Sequence, residues 1–437
     1  MKTSHRPVGM KAFLVIWIGQ FISILASGMT GFAFSIWLYQ QTESATAMGL
    51  MQVFYITPFL LMSPLAGVMV DRYSRKLMMM ISDITASIGT LFILVLYLTG
   101  ELQFWHLYIA AALNGIGNTF QWPAYSAAIS LIVPKEQLGR VNGMMSLMEA
   151  GPGILAPLAA GFFLPLIGIQ GILLLDVATF LFAILTLMYV IIPQPQATEE
   201  GERSRGSFLK EALFGFEYIF KRPSLLGLQL IFLAANLFSG IGFTLLAPMI
   251  LAKTSQNSLI FGSVQSAMAA GSVGGGIIMS IWGGFKRRVH GVLLGWILLG
   301  TGMMVMGFGS GISIWIFAAI FINLFSPLIN SSNQAIWQSK VHPDLQGRVF
   351  SSRRLIAWLT TPISPIIAGT LADFVFEPLF RTPTGWIKVF SDLTGSGPGT
   401  GMGFLMVLCG LGAMLVGFSG YLFHPVREAE TLLKDVI

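Results

Sequence analysis

Apolar runs close to the roughly 20 residues that cross about 30 Å of hydrocarbon recur along this chain, separated by short polar joints. The pattern predicts twelve membrane-spanning helices, at about 12–38, 47–70, 77–99, 105–132, 141–166, 171–192, 225–251, 259–282, 289–309, 313–338, 349–375 and 401–423. Barrel strands would need short segments alternating with period two, and these runs are too long and too continuous for that. An even number of crossings puts both chain ends on one side. Met1–Lys11 is short and basic, and the apolar run after it is too long for a signal peptide and lacks a small-residue cleavage site. A retained first helix is therefore expected.

Composition agrees with the pattern. Of 437 residues 54% are hydrophobic and 10% charged, against about 25% charged in soluble domains. The net charge of +6 does not mark a nucleic-acid binder, because the basic residues are spread over the joints between spans. They report topology instead. All of the 25 Lys and Arg except Lys253, Arg381 and Lys388 fall on the side of the termini. The positive-inside rule makes that side cytoplasmic and the membrane the cell's inner membrane. The one cysteine, Cys409, lies in a late apolar run, so no internal disulfide forms.

Between spans six and seven the composition turns polar, from Pro193-Gln-Pro195 to Lys221-Arg222-Pro223. Phe208, Leu209, Leu213, Phe216, Ile219 and Phe220 recur there at near-helical spacing, which predicts an amphipathic helix on the membrane surface. The expected organisation is a six-helix half at 1–193, a cytoplasmic linker with that helix at 194–222, a second six-helix half at 223–424, and a cytoplasmic tail at 425–437. The halves carry a repeat at an offset of 208 residues. Val133, Gly139-Arg140-Val141, Leu147, Pro157 and Ala160-Gly161 match Val341, Gly347-Arg348-Val349, Leu355, Pro365 and Ala368-Gly369, 8 identities in 29 positions. The connection Glu377–Gly399 is long and is expected to lie as a hairpin at the lipid surface through Trp386.

The joint after span two reads Gly67-x-x-x-Asp71-Arg72-x-x-Arg75-Lys76. With two six-span halves and a cytoplasmic linker, it resembles the signature of the major facilitator superfamily. Phe120-Gln-Trp-Pro123-Ala124, Val133-Pro134-Lys135, Gly139-Arg140-Val141-Asn142 and Gly151-Pro152 resemble the bacterial drug-efflux branch that includes macrolide and siderophore exporters. The resemblance implies an all-α integral membrane fold, twelve transmembrane helices in two pseudo-symmetric six-helix halves. It further implies a conformational latch of Gly67, Asp71, Arg72, Arg75 and Lys76 with Arg348, Arg353 and Arg354, in which Asp71 meets the N-terminal end of span eleven. In the family a Gly-Pro motif in span five marks exporters that exchange substrate for protons. Gly151, Pro152, Pro157 and Gly161 supply a degenerate form, with Leu147 and Leu155-Ala156 where glycines are usual. Many proton-coupled relatives also carry an arginine in span four, where this chain has Asn114 and Asn118.

Ionisable residues inside spans are functional candidates, because burying a charge in hydrocarbon is costly. Glu149, eight residues past Val141 and hence about 12 Å deep, is the first candidate for proton coupling or for a cationic substrate, and Asp83 the second. Asp176 and Asp373 lie near the external ends and are expected to be hydrated. Asn114, Asn118, Gln121, Trp122, Asn236, Asn323, Asn330, Asn333, Gln334 and Trp337 concentrate in spans four and ten and are candidates to line a central cavity suited to bulky amphipathic compounds. Hydrogen bonding between helices is the plainer use of the same residues.

No enzyme chemistry is indicated. The histidines are scattered, no metal-spacing cluster or phosphate-binding loop occurs, and no cofactor or metal is expected. The expected function is proton-coupled efflux by alternating access, performed by a monomer whose partners are the bilayer, a small molecule and protons. The alternatives are an uptake or lysophospholipid-translocating member of the same fold, and a membrane sensor that transports nothing.

Overall fold

The computed structural model describes residues 7, 9–133, 137–192, 215–341, 346–382, 384–394 and 397–432. Among them there is no strand. Continuous helix is what hydrocarbon demands, since it satisfies every backbone N–H and C=O within its own segment. The helices are α1 (Gly9–Thr42), α2 (Ala45–Arg72), α3 (Arg75–Thr99), α4 (His106–Ile132), α5 (Leu138–Tyr189), α6 (Pro223–Lys253), α7 (Ser258–Trp282), α8 (Arg288–Phe308), α9 (Ile312–Leu324), α10 (Ser326–Lys340), α11 (Gln346–Trp358), α12 (Ile363–Leu371), α13 (Glu377–Arg381), α14 (Trp386–Thr394) and α15 (Thr400–Leu422).

Among the described residues, ten helical stretches have the length and apolar content to cross a membrane. One of them, Ala150–Tyr189, spans 40 residues and is broken at Gly168, whose φ of 66° and ψ of 178° lie outside the helical region. A side chain there would strain the left-handed backbone, so glycine sets the place of the break. The two arms correspond to the fifth and sixth spans expected from the sequence. α4 has 27 residues, with Asn114, Asn118 and Gln121 diluting its apolar content.

The chain divides into two units. The first holds Met1–Glu43, Ala47–Gln196 and Gln256–Ser266, and the second holds Ser44–Thr46, Ala197–Ser255 and Ala267–Ile437. In the first, α1 packs along α5, and α3 packs against both α4 and α5. Its core gathers Phe13, Ile16, Met78, Met79, Phe120, Tyr125, Val141 and Leu187. In the second, α8 and α15 form the closest pair, with α6 and α10 beside them. Glycines seven residues apart make that pairing possible. A Cβ at Gly300 would sit 2.4 Å from the Gly410 carbonyl oxygen, and one at Gly307 the same distance from that of Gly403. Small residues let membrane helices gain dispersion contact backbone to backbone.

The long connection expected to lie as a hairpin on the lipid surface is a packed cap on the second unit. α13 and α14 place Phe380, Ile387 and Phe390 around Phe404 and Val407 of α15, with the Phe390 and Phe404 rings 4.8 Å apart and nearly perpendicular. The side chain of Trp386 lies outside the described residues.

Of the expected linker helix, positions 208–214 lie outside the described residues. Residues 215–220 are helical, with Ile219 fully buried and the Tyr218 hydroxyl donating to the Lys340 carbonyl at 3.4 Å. This end of the helix packs one face into the second unit, with Phe220 exposed on another. Past α15, Val426 and Ala429 are fully buried as well.

Candidate functional site

Two polar sites stand out, one in each unit. In the first, α1, α3 and α4 bring Gln20, Asp83 and Gln121 together. Asp83 lies eight residues past Arg75, about 12 Å along α3. The Gln20 Nε2 donates to Asp83 Oδ2 at 2.8 Å. Gln121 Nε2 donates to Asp83 Oδ1 at 3.2 Å and to Gln20 Oε1 at 2.5 Å. Gln20 is 1% and Asp83 5% exposed. Among the described residues, no cation pairs with Asp83. The carboxyl is thus kept from water with neutral amides as its described partners.

Asp176 belongs to the same unit and corrects an expectation. It is not hydrated: it is 1% exposed, with the Ser27 and Thr90 hydroxyls donating to its two oxygens at 3.0 Å each. Its position near the end of a span does not reveal that α1 and α3 close over it. The other cavity candidates of this unit are arranged differently. Asn114 donates to the Ala110 carbonyl at 3.2 Å and Asn118 to the Asn114 carbonyl at 3.1 Å, both within α4. Trp122 is exposed.

Along α5, a Cβ at Gly151 would lie 3.1 Å from the Phe21 ring of α1, and Pro152 is buried. Pro157 and Gly161 meet the first turns of α7, which group with this unit. A Cβ at Gly262 would come 2.4 Å from the Pro157 carbonyl oxygen, and the Ser258 hydroxyl donates to the Gly161 carbonyl at 3.3 Å. Glu149 lies in α5, its side chain outside the described residues.

In the signature stretch, Gly67, Asp71 and Arg72 lie in the last turns of α2, and their side chains too are outside the described residues. Arg75 opens α3. Lys76 Nζ donates to the Met188 and Val190 carbonyls at 3.1 and 2.8 Å, placing a cation on the carbonyl end of α5, where the helix dipole favours it.

In the second unit, a cavity of about 470 Å³ opens among α6, α8, α9, α10 and α11. Of the candidates named from the sequence, Asn236, Asn323, Asn330, Asn333 and Gln334 line it. Arg353 and Arg354, grouped with the latch on sequence grounds, line it as well. Arg353 Nη1 donates to Gln334 Oε1 at 2.9 Å, and its guanidinium lies 5.1 Å from the Trp337 ring. Arg354 lies 4.3 Å over the ring of Trp358. Trp337 is fully buried behind this wall. The aromatic lining, Phe232, Trp296, Phe350 and Trp358, is made of residues that sequence reasoning missed. Arg348 lies in α11, its side chain outside the described residues.

The break between α9 and α10 shapes this wall. Phe325 separates them and Pro327 occupies the first turn of α10, where a missing N–H is harmless. Asn330 and Asn323 each return a bond to a carbonyl of their own segment, Ser326 at 3.0 Å and Ala319 at 3.3 Å. Asn236 instead reaches the Ala357 carbonyl at 3.2 Å, tying α6 to α11. Among the described residues, no group of three His, Cys, Asp or Glu side chains could hold a metal.

Near the other end of the second unit, Asp373 is not simply hydrated either. It accepts from the Ser44 hydroxyl at 2.5 Å and from the Ala45 and Thr46 amides at 3.0 and 2.8 Å. It thus caps the first turn of α2 from a π-helical turn, Ala372–Phe376.

The sequence model of the Major Facilitator Superfamily matches residues 16–365. The chain belongs to this superfamily. Macrolide efflux protein A of Streptococcus pyogenes is 26% identical over 368 residues, covering 83% of this chain and 89% of that protein. The enterobactin exporter EntS of Shigella flexneri is 26% identical over 219 residues, 50% of this chain and 52% of that one. Among solved structures, a bacterial homolog of the human lysosomal transporter Spinster superposes with a TM-score of 0.69 at 16% identity, over 96% of this chain and 97% of that one. That likeness bears on the fold alone. Superfamily membership makes the chain a multi-pass membrane transporter of small molecules, not an enzyme, and the two curated relatives named above are an efflux protein and an exporter.

Proposed function

We propose that this chain exports bulky amphipathic small molecules of the drug, macrolide or siderophore type, driven by protons entering the cell. The observation that carries the reading is Asp83, a buried carboxyl whose described partners are uncharged amides. A proton bound there removes a charge the site can hardly support, and releasing it restores a carboxylate that two amide donors hold. Such a group binds or frees a proton according to which side of the membrane reaches it. The efflux relatives support the direction and the class of cargo.

In this reading the protein works as a monomer in the inner membrane with both termini cytoplasmic. Alternating access is steered by a latch of Gly67, Asp71, Arg72 and Arg75 with Arg348 at the start of α11, while Lys76 anchors the end of α5. Glu149 is the second candidate for proton coupling. Asn114, Asn118, Gln121 and Trp122 supply polar and aromatic surface in the first unit, and the asparagine-rich cavity supplies it in the second.

The test uses everted membrane vesicles, in which export appears as uptake. An acid-inside gradient should drive accumulation of at least one of labelled erythromycin, rhodamine 123 and fluorescein, and nigericin should abolish it. Accumulation indifferent to the gradient, or loss of compound in the opposite direction, would refute the reading.

A further inference from the structure

We propose that the cavity of the second unit is an anion-recognition site, and that the cargo is an organic anion: a ring-bearing body carrying a carboxylate, sulfonate or phenolate. The inference rests on the transporter reading and adds the sign of the cargo's charge.

Two guanidinium groups, Arg353 and Arg354, line this cavity, and no acid does among the described residues. No described carboxylate pairs with either one. Their contacts are a carboxamide oxygen and aromatic faces: Arg353 on Gln334 at 2.9 Å and near Trp337 and Phe350, and Arg354 over Trp358. Both sit in the first turns of span eleven, where a guanidinium without a carboxylate partner keeps its charge for a ligand. Here the described neighbouring groups leave the positive charge uncancelled. A planar guanidinium also presents donors in a fork that matches two oxygens of one anion.

A third donor points the same way. Trp296 lines the cavity at 4% exposure, and its indole Nε1 has no hydrogen-bond partner. An indole nitrogen can only donate, so reorienting the ring cannot turn it into an acceptor. A buried donor without a partner, on a residue lining the same cavity as two guanidinium groups, is complementary to a ligand oxygen and not to a ligand ammonium.

The rest of the wall describes the body of the ligand. Phe232 meets Trp296 edge to face at 5.5 Å, and with Phe350 and Trp358 these rings offer flat apolar surface. The volume of about 470 Å³ suits a ligand of three or four fused rings. Asn236, Asn330 and Asn333 place carboxamides around it for neutral oxygens and hydroxyls.

Fluorescein, a dianion at neutral pH, and rhodamine 123, a cation on the same xanthene skeleton, separate charge from shape. Fluorescence polarisation on the full chain in phosphatidylcholine nanodiscs should show fluorescein binding at least about tenfold more tightly than rhodamine 123, with affinity falling as salt rises. R354Q should weaken fluorescein about tenfold to a hundredfold, as expected for loss of a charge-assisted bond, and leave rhodamine 123 unchanged or tighter. W296F should weaken fluorescein several-fold. Arg353 also contacts Gln334, so R353Q can disturb folding; Arg354 is exposed in the cavity wall, and R354Q carries the test if R353Q does not fold.

Equal affinity for the two dyes, absence of fluorescein binding, or an R354Q variant that binds fluorescein like the wild type would overturn the proposal. Proton-driven rhodamine 123 export without fluorescein binding would remove the anion site and leave the transporter reading standing. Fluorescein binding sensitive to R354Q, with no proton-driven flux of either dye, would do the reverse.

Discussion

Replacing Asp83 by Asn separates coupling from stability. In the wild type the two carboxyl oxygens each accept one amide hydrogen, from Gln20 at 2.8 Å and Gln121 at 3.2 Å. Asparagine keeps one acceptor and turns a donor toward the second amide, losing one bond to a charged group worth about 1.5–3 kcal/mol. Against that, it removes a buried charge whose desolvation costs several kcal/mol. The two terms oppose one another, so the thermal midpoint of D83N should stay level or rise. Q20A does the opposite: it leaves the carboxyl in place short of a donor, costing about 1–3 kcal/mol and lowering the midpoint. Transport should respond in a different pattern. A gradient of about two pH units supplies about 2.7 kcal/mol per proton, enough to hold a roughly hundredfold accumulation if one proton moves per substrate. In everted vesicles D83N should lose that accumulation and retain downhill equilibration of the same compound. If D83N accumulates substrate to the wild-type ratio and nigericin collapses it, Asp83 is not the proton carrier. The same experiment on E149Q then decides whether Glu149 is.

Three further substitutions test the packing. Asp373→Ala removes three hydrogen bonds from the first turn of α2 and should lower the thermal midpoint by the equivalent of about 1–2 kcal/mol, as for a lost N-cap; an unchanged midpoint would show that solvent replaces the cap. Gly300→Ala puts a methyl 2.4 Å from the Gly410 carbonyl oxygen and should cost about 1–3 kcal/mol through forced separation of α8 and α15, read as reduced yield of folded protein in detergent. Gly168→Ala meets no atom within 4 Å, so its expected cost of about 1–3 kcal/mol comes only from the backbone, whose φ of 66° and ψ of 178° are almost exclusive to glycine; Asn should cost as much, and an unchanged midpoint would refute the account.

Hydropathy along the chain located the spans because length and apolar content are properties of a line. The all-helical membrane architecture follows from them, and the spans change direction near the expected positions, including the turn at Gly168 between the fifth and sixth. What a line does not carry is rotation. Successive helical residues turn about 100°, so Arg353 and Arg354, which sit at the start of span eleven and look like partners for a loop, present their guanidinium groups to the cavity. Asp176 looks hydrated by its distance from the middle of the membrane, yet Ser27 and Thr90 enclose it. The asparagines of span ten were recognisable as polar residues without a capping duty. The aromatic walls beside them were not, because Phe and Trp are equally at home facing lipid. Lys76 shows the same limit, since a basic residue that reports topology also finds the carbonyl end of a neighbouring helix.

The break at Phe325 also bears on how the protein reaches the bilayer. α9 has 13 residues, about 20 Å of helix, too short to cross hydrocarbon unaided. α10 brings Asn330, Asn333, Gln334, Gln338 and Lys340, a load that the insertion machinery would reject from a segment presented alone. Neither piece is a topogenic signal by itself. During synthesis the pair must enter as one crossing, with α8 already in place to pack against Leu328, Ile329 and Ser332 of α10, so substitutions that weaken α8 should first appear as chains of inverted or incomplete topology.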